Sequence, residues 1–255
     1  MAFEHAARAS KGARSYQEDA FAVRSEPADA AAGAVGQMIA VLADGMGGHA
    51  GGAYASALAC EAFVHAYRAV PGEAPLRLER ALHSANRAIA GVVEENPALD
   101  GMGCTLVGTS FDGAGLQWVS VGDSPLFLVR GGTIAVLNAD HSLAPEIDKL
   151  AAAGKISWED ARADPRRHYL RSAVTGAEIE LIDRSRAPVA LNSGDIVILA
   201  SDGIQTLTQD AILKVVLRHA HGGPDAVAGA LLAAVGAAGE PHQDNATVVV
   251  IGKSA

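Results

Sequence analysis

The sequence predicts an α+β fold in which two antiparallel sheets pack face to face and pairs of helices lie outside them. Predicted strands occur in consecutive groups along the chain, and predicted helices occur in pairs. A doubly wound fold would instead alternate one strand with one helix. With 255 residues and 49% hydrophobic content, the chain is long enough for one substantial core, and we predict a single domain over residues 1–255.

The first part of the chain predicts a β-hairpin followed by two helices. Apolar segments indicate strands at residues 20–24 and 38–42, joined by the Ala-, Gly- and Pro-containing loop EPADAAAGAVG. Helices are predicted at residues 52–69 and 76–95. The second helix carries apolar residues at near-helical spacing, and the Asn-Pro pair that follows it marks its end.

The middle of the chain predicts four short strands and then an insertion. The strands are separated by Gly-rich turns, which favour an antiparallel meander. They occupy residues 104–111, 116–121, 126–130 and 133–137. Residues 142–171 are polar with a helical pattern, in which Ser157 and Asp160 are spaced as a helix start. We expect this segment to be an exposed insertion.

The last part of the chain returns to strands, then a helix pair, then one strand. Strands are predicted at residues 178–184 and 195–200, helices at 209–220 and 225–238, and a final strand at 246–251. No internal repeat or long linker interrupts this order.

Composition excludes several classes of function. A formal net charge of -9 provides no basic field for nucleic acid. Cys60 and Cys104 form neither a disulfide framework nor a metal-binding spacing, which favours buried core residues in a reducing compartment. The amino terminus lacks a signal-peptide pattern, and the longest apolar run, residues 226–238, is shorter than the ~20 residues of a membrane span. We therefore expect a cytoplasmic protein that binds neither nucleic acid nor membrane.

Acidic residues recur at the ends of the predicted strands. The ends of strands are where a sheet sandwich converges on a cleft. These acids are Glu18, Asp19, Asp44, Asp123, Asp202 and Asp244. Asp-Gly after a strand is also an ordinary turn, so each position alone is weak evidence. Repetition of strand-Asp-Gly at residues 44 and 202 strengthens the interpretation as a site.

Electrostatics indicates what such a cluster requires. Two carboxylates ~5 Å apart repel by about 3 kcal/mol at an effective dielectric constant near 20, so four of them together approach about 20 kcal/mol. A typical domain is stable by only ~5 to 15 kcal/mol. Either these acids lie apart or cations hold them together. Oxygen ligands without a Cys or His cluster suit Mg²⁺ or Mn²⁺, and the glycines after Asp44 would let the Gly45 carbonyl turn inward as a further ligand.

Several motifs have competing interpretations. Arg14 could bind a phosphate group bidentately beside a metal site, or it could pair with Glu18 at the surface. The GMGGHA segment matches a dinucleotide fingerprint, but Asp44 would face the pyrophosphate unscreened. The GDS segment lacks the base that a serine nucleophile needs, and Cys104 would need a histidine partner.

The histidines carry weaker signals. His49 and His141 lie near motifs, and a supporting or structural role is favoured over metal ligation. His168 is expected on a solvated face.

Seven short motifs in order resemble the metal-dependent serine/threonine protein phosphatases of the PPM (type 2C) family, in their compact bacterial form. They are RSYQED, LADGMGGHAGG, GCT, VGDS, ADHS, SDGI and QDNAT, and they span residues 14 to 251. The resemblance implies a four-layer α/β/β/α sandwich whose cleft holds two Mn²⁺ or Mg²⁺ ions bridged by a water. It also implies that residues 142–171 form the flap that helps to choose substrates.

The resemblance assigns roles by position in the motifs. Asp44 would bridge both ions, and Gly45 would give a carbonyl oxygen to one of them. Asp202 and Asp244 would hold the first ion, and Glu18 would serve the second ion directly or through water. Asp19 would lie behind these ligands or reach a metal through water, and Arg14 would bind the phosphate. A third ion would lie near Asp123, shared with Asp202.

Three positions depart from the family pattern. Pro125 stands where members often carry an arginine after GDS, and Ala53 stands where a glutamate often follows the glycine run. Residue 46 is Met, as in bacterial relatives, whereas eukaryotic members carry a histidine there that is proposed as the general acid. The proton donor therefore stays open.

The activity that the resemblance implies is hydrolysis of phosphoserine and phosphothreonine in proteins. The catalytic residues would be Arg14, Asp44 and Asp202, and a metal-bridged water would attack phosphorus directly. The implied partners are phosphorylated proteins, with a Ser/Thr kinase and its targets in the same bacterial signalling system. The alternative is a catalytically silent module that binds phosphoproteins on the same fold.

Overall fold

The computed structural model describes residues 3–26, 36–47 and 50–253, and within them it contains two antiparallel sheets. In chain order the strands are β1 (Phe3–Ser10), β2 (Asp19–Glu26), β3 (Gln37–Met46), β4 (Gly103–Cys104), β5 (Leu106–Phe111), β6 (Leu116–Val121), β7 (Leu126–Arg130), β8 (Thr133–Val136), β9 (Asp183–Arg184), β10 (Ile196–Ala200) and β11 (Ala246–Lys253). One sheet has the order β1-β11-β10-β7-β8, and the other has the order β2-β3-β5-β6-β9, with β4 paired to β3.

Helix pairs cover the outer face of each sheet, and a third group of helices lies in the predicted insertion. The helices are α1 (Ala50–Ala69), α2 (Ala74–Glu95), α3 (Ala144–Ala152), α4 (Trp158–Ala163), α5 (Gln209–His219) and α6 (Gly223–Ala237). Helices α1 and α2 pack on the sheet that contains β3, and α6 packs on β1 and β11. The predicted α/β/β/α sandwich is confirmed.

Strand β3 shows how the side-chain period of two builds the layers. Ile39 and Val41 face the α1–α2 side and join its hydrophobic cluster, whereas Met38, Ala40 and Leu42 face the opposite sheet. All of these side chains are almost completely buried. Strand β3 therefore contributes to two cores at once, which explains why it is a nearly continuous apolar run rather than an alternating one.

The predicted hairpin is confirmed. Strands β2 and β3 pair antiparallel over eight residues, and the register places Asp19 opposite Asp44. Most of the connecting loop, residues 27–35, lies outside the described residues. Ser157 also acts as predicted, because its hydroxyl accepts a hydrogen bond from the Asp160 N–H at 2.9 Å and begins α4.

The predicted four-stranded meander is wrong. Strands β5 and β6 form a hairpin in one sheet, whereas β7 and β8 form a hairpin in the other sheet. The chain crosses between the sheets at residues 122–125. A Gly-rich turn has the same local sequence signal whether the next strand returns to its own sheet or crosses to the opposite one, so periodicity could not separate these outcomes.

Two other strand predictions differ from the structure. The strand predicted at residues 178–184 is reduced to β9, and just before it the Ser172 hydroxyl donates to the Leu181 carbonyl at 2.9 Å and accepts from the Leu181 N–H at 3.0 Å. Strand β1 was not predicted, because its sequence FEHAARAS contains no Val, Ile or Thr. It lies at the edge of its sheet, where less of each side chain is buried.

Both cysteines are buried free thiols, as the sequence predicts. Within the described residues, no helix has the length and apolar character needed to cross a membrane.

Candidate metal centre

A cleft of about 860 Å³ opens at one end of the sandwich. It collects residues from the ends of β3 and β6, from the turns next to β10 and β11, and from the segment before β2. Five of the predicted acids line it, together with Arg14 and Gly45: Glu18, Asp44, Asp123, Asp202 and Asp244. The sixth, Asp19, lies behind this surface, where its Oδ2 accepts a 2.8 Å hydrogen bond from the Ser201 hydroxyl. All the predicted site residues are therefore brought to one region.

The backbone around Asp44 is fixed from the neighbouring strand. The Asp44 N–H donates to the Thr105 hydroxyl at 3.2 Å, and the Thr105 N–H donates to the Asp44 carbonyl at 2.9 Å. Thr105 also hydrogen-bonds Ser124 through their hydroxyls at 2.6 Å. This chain of contacts joins the end of β3 to the turn that carries Asp123. Thr105 lines the cleft and was not predicted as a site residue, although it belongs to the GCT motif.

Glycines at residues 45 and 52 let three backbone segments meet. The Gly45 N–H donates to the Glu18 carbonyl at 3.1 Å. A Cβ at residue 45 would collide with the carbonyl oxygens of Gly52 and Glu18, and a Cβ at residue 52 would lie 2.5 Å from Glu18 Oε1. The glycine-rich sequence after Asp44 is therefore required by close backbone approach at the rim of the cleft.

Asn245 ties the segment before β2 to the segment before β11. Its Oδ1 accepts from the Glu18 N–H at 2.7 Å, and its Nδ2 donates to the carbonyls of Lys11 and Tyr16 at 2.9 Å. The side chain thus holds the loop that presents both Arg14 and Glu18. The sequence signal was the Asp-Asn pair, but its partners are more than two hundred residues away and could not be inferred from spacing.

The carboxylates perturb one another strongly. Burial raises the pKa of Asp44 well above its ordinary value, and the charges of Asp202, Asp19, Asp123 and Asp244 raise it further. Burial, followed by the charge of Asp244, raises the pKa of Asp202. Burial also raises the pKa of Asp19 to about 6 and that of Asp123 to about 7. Without a counter-charge, this cleft therefore disfavours the ionised carboxylates.

The donor set fits hard divalent cations. Glu18 Oε1 and Asp19 Oδ1 are buried without a hydrogen-bond partner, which is costly unless another group satisfies them. Carboxylate and carbonyl oxygens are the ligands that Mg²⁺ and Mn²⁺ prefer. In the part of the chain that the structure describes, no three acidic, His or Cys side chains are already gathered tightly enough to hold an ion. The acids share one cleft, and ligation would draw them closer.

Arg14 takes a partner that neither interpretation of the sequence named. Its Nη2 lies 2.5 Å from Oδ2 of Asp244, not beside Glu18. Both side chains remain well exposed, so the ion pair is accessible to solvent and weak. The guanidinium therefore lies at the cleft and neutralises one acid.

The insertion supplies a second wall of the cleft. His168, Tyr169 and Arg171 line it from one side, and Glu178 and Glu180 line it further along the chain. None of these five was predicted as a site residue. His168 is exposed to solvent, as predicted, but it lies at the cleft and not on a remote face.

Two competing interpretations of the sequence lose support. Burial raises the pKa of the Cys104 thiol well above its ordinary value, which disfavours the thiolate a nucleophile requires. Ser124, in the GDS segment, is buried and hydrogen-bonded to Thr105 rather than to a base. His141 is structural, because its Nδ1 accepts a 3.2 Å hydrogen bond from the Gly122 N–H. His49 lies outside the described residues.

Comparison with known proteins gives matches over most of the chain. The family model described as Protein phosphatase 2C matches residues 12–226. The serine/threonine protein phosphatase PstP of Mycobacterium tuberculosis is 36% identical over 208 residues, which cover 75% of this chain and 39% of PstP. The serine/threonine phosphatase stp of Listeria innocua is 31% identical over 187 residues, which cover 71% of this chain and 72% of that protein.

A solved structure is similar over the whole length. The catalytic domain of PstP in complex with two manganese ions has a TM-score of 0.78 at 32% identity, and the match covers 99% of both chains. The chain spans about two fifths of the length of the full PstP sequences that it matches. Because the family model covers most of the chain and sequence relatives exceed 30% identity, the chain belongs to the protein phosphatase 2C family.

Proposed function

We propose that this chain hydrolyses phosphoserine and phosphothreonine in proteins with the help of divalent metal ions. The observation that carries the proposal is one cleft lined by five carboxylates, of which Asp44, Asp123 and Asp202 have raised pKa values. Such a site is stable in its ionised form only beside cations. The manganese-containing PstP structure supports the same assignment.

The metal ions would be held by residues from five chain segments. Two Mn²⁺ or Mg²⁺ ions would be held by Asp44, the Gly45 carbonyl, Glu18, Asp202 and Asp244. Asp19 would act from behind these ligands or through a water, and a third ion would lie near Asp123. When bound, the ions would supply a nucleophilic water at neutral pH and neutralise charge on the phosphoryl oxygens.

Residues of this chain would bind and orient the phosphate group. Arg14 would leave Asp244 as cations neutralise that carboxylate, and its planar guanidinium would then bind two phosphoryl oxygens. Thr105 keeps the Asp44 backbone in place during this exchange, through the paired hydrogen bonds described above. Asn245 keeps the Arg14 loop against the cleft. The phosphate is thereby oriented between the Arg14 guanidinium and the acidic side chains.

The surroundings of the cleft indicate how substrates reach it. We propose a single catalytic domain over residues 1–255 in which residues 142–171 act as a flap and contact phosphoproteins. Its residues His168 and Tyr169 already line the cleft. The partners would be phosphorylated proteins, including a Ser/Thr kinase and its targets, in the cytoplasm.

Phosphate release from a phosphothreonine peptide tests the proposal. We expect release with added Mn²⁺, loss of release on chelation, and a rate that rises from acidic to mildly alkaline pH. Asp44→Ala serves as the matched inactive control. Tight binding of the peptide by wild type without any release would instead identify a silent phosphoprotein-binding module.

A further inference from the structure

A second cavity adjoins the candidate metal centre. It has a volume of about 300 Å³ and lies between the β7–β8 hairpin and residues 205–212. Asp123 lines both this cavity and the catalytic cleft. A substrate whose phosphorylated residue occupies the cleft would therefore place a neighbouring side chain at the opening of this cavity.

The walls of the cavity are partly apolar, and Asn138, Gln205 and Gln209 contribute polar side chains to them. Phe127 and Ile212 are buried beneath it, and Val136 is 43% exposed at its edge. Leu207 contributes to the same wall. Such a surface is suited to the methylene groups of a long side chain.

The charged residues that line the cavity are all acidic. Asp123 and Asp140 are its two charged residues, and no Lys, Arg or His is found among the described residues that line it. Asp140 is exposed, and its Oδ1 accepts a hydrogen bond from the Ser142 N–H at 2.7 Å. Pro125, at the end of the turn that carries Asp123, adds no charge. Because Asp140 lies outside the candidate metal centre, its carboxylate would stay available to a cation when ions are bound beside Asp123.

We propose that this cavity binds an arginine or lysine side chain of the phosphoprotein substrate, close in sequence to the phosphorylated residue. This proposal rests on the proposed phosphatase function. The aliphatic stem would pack against the apolar part of the wall, and the cationic end would reach Asp140. An arginine fits best, because its planar guanidinium can bind a carboxylate through two hydrogen bonds.

The first experiment compares phosphothreonine peptides with Mn²⁺ present. A single arginine is moved through the flanking positions of an otherwise neutral peptide, and each peptide is matched by one with glutamine at the same position. We expect kcat/KM to rise about fivefold for arginine at one position, since an ion pair with an exposed carboxylate contributes up to about 1 kcal/mol.

A pair of variants in β8 locates the effect. Val136→Lys places a cation at the edge of the cavity, whereas Ala135→Lys places the same cation on the adjacent exposed residue of the strand, outside the cavity lining. We expect Val136→Lys to remove the preference for arginine over glutamine and Ala135→Lys to retain it. Asp140→Asn should reduce the preference without adding bulk.

The possible outcomes separate the two proposals. Equal hydrolysis of the arginine and glutamine peptides by wild type overturns the basic-residue site and leaves the phosphatase function standing. A preference that survives Val136→Lys also overturns the site. Failure to hydrolyse any of the peptides with Mn²⁺ overturns both.

Discussion

Replacing Asp123 with asparagine should stabilise the metal-free protein at neutral and alkaline pH. Burial is the largest cause of the increase in the Asp123 pKa from 3.8 to about 7, and the charges of Asp202 and Asp140 add to it. A shift of this size corresponds to about 4 kcal/mol of folding free energy, because each pH unit is worth about 1.4 kcal/mol. Asp123 keeps some contact with solvent, so we treat this figure as an upper value.

The sign of the pH dependence follows from which form the fold prefers. A carboxyl whose folded-state pKa is raised favours folding when it is protonated. Its contribution is fully present below the unfolded pKa of about 4 and is lost as the pH rises through about 7. The asparagine variant lacks this titration. The variant should therefore match wild type near pH 4 and exceed its stability increasingly up to about pH 8.

Urea unfolding in the presence of a chelator measures this difference across the pH range. Exposed Glu95, at the end of α2, supplies the control variant Glu95→Gln, which removes a carboxylate that lies outside the cleft. Adding Mn²⁺ should reduce the difference in unfolding free energy between Asp123→Asn and wild type, since cations offset the buried charge. A gap that is constant with pH, or an asparagine variant less stable than wild type at alkaline pH, would refute the electrostatic reasoning.

Other perturbations test the site more directly. Asp44→Ala or Asp202→Ala should abolish phosphate release, and wild-type rates would remove that residue from the site. Arg14→Ala should raise KM for a phosphopeptide about tenfold or more, because charge-assisted hydrogen bonds to phosphate are lost. An unchanged KM would contradict the phosphate-binding role of Arg14. Gly45→Ala should lower the melting temperature through collision with neighbouring carbonyls, whereas Gly91→Ala in α2, which has open space, should not; equal melting temperatures would contradict the packing argument.

The elements that the sequence predicted well are those defined by local patterns. The apolar run of β3, the glycines after Asp44 and the helix start at Ser157 can each be recognised from a few consecutive residues. The acids at strand ends were found for the same reason. Their convergence was inferred from a general property of sheet sandwiches and from the family resemblance, and in the structure five of the six acids line one cleft.

The features that the sequence did not predict depend on distant partners. The turn at residues 122–125 crosses between sheets, and no local signal distinguishes this from a hairpin. Arg14 pairs with Asp244, and Asn245 holds Glu18, across separations of 230 and 227 residues. Glu178 and Glu180 reach the cleft through a segment that Ser172 holds out of regular strand pairing. Such contacts are set by tertiary packing and not by periodicity.

Asn245 hydrogen-bonds residues more than two hundred positions earlier in the chain, and this affects how the protein folds during synthesis. Residues near the start of the chain are held at the cleft partly by a side chain near its far end, and β1 likewise pairs with β11. During synthesis, the ribosome must translate beyond residue 246 before the first strand has its partner. A prematurely terminated chain that lacks β11 would therefore leave β1 and the edge of β10 unpaired, and such strand edges are prone to aggregation.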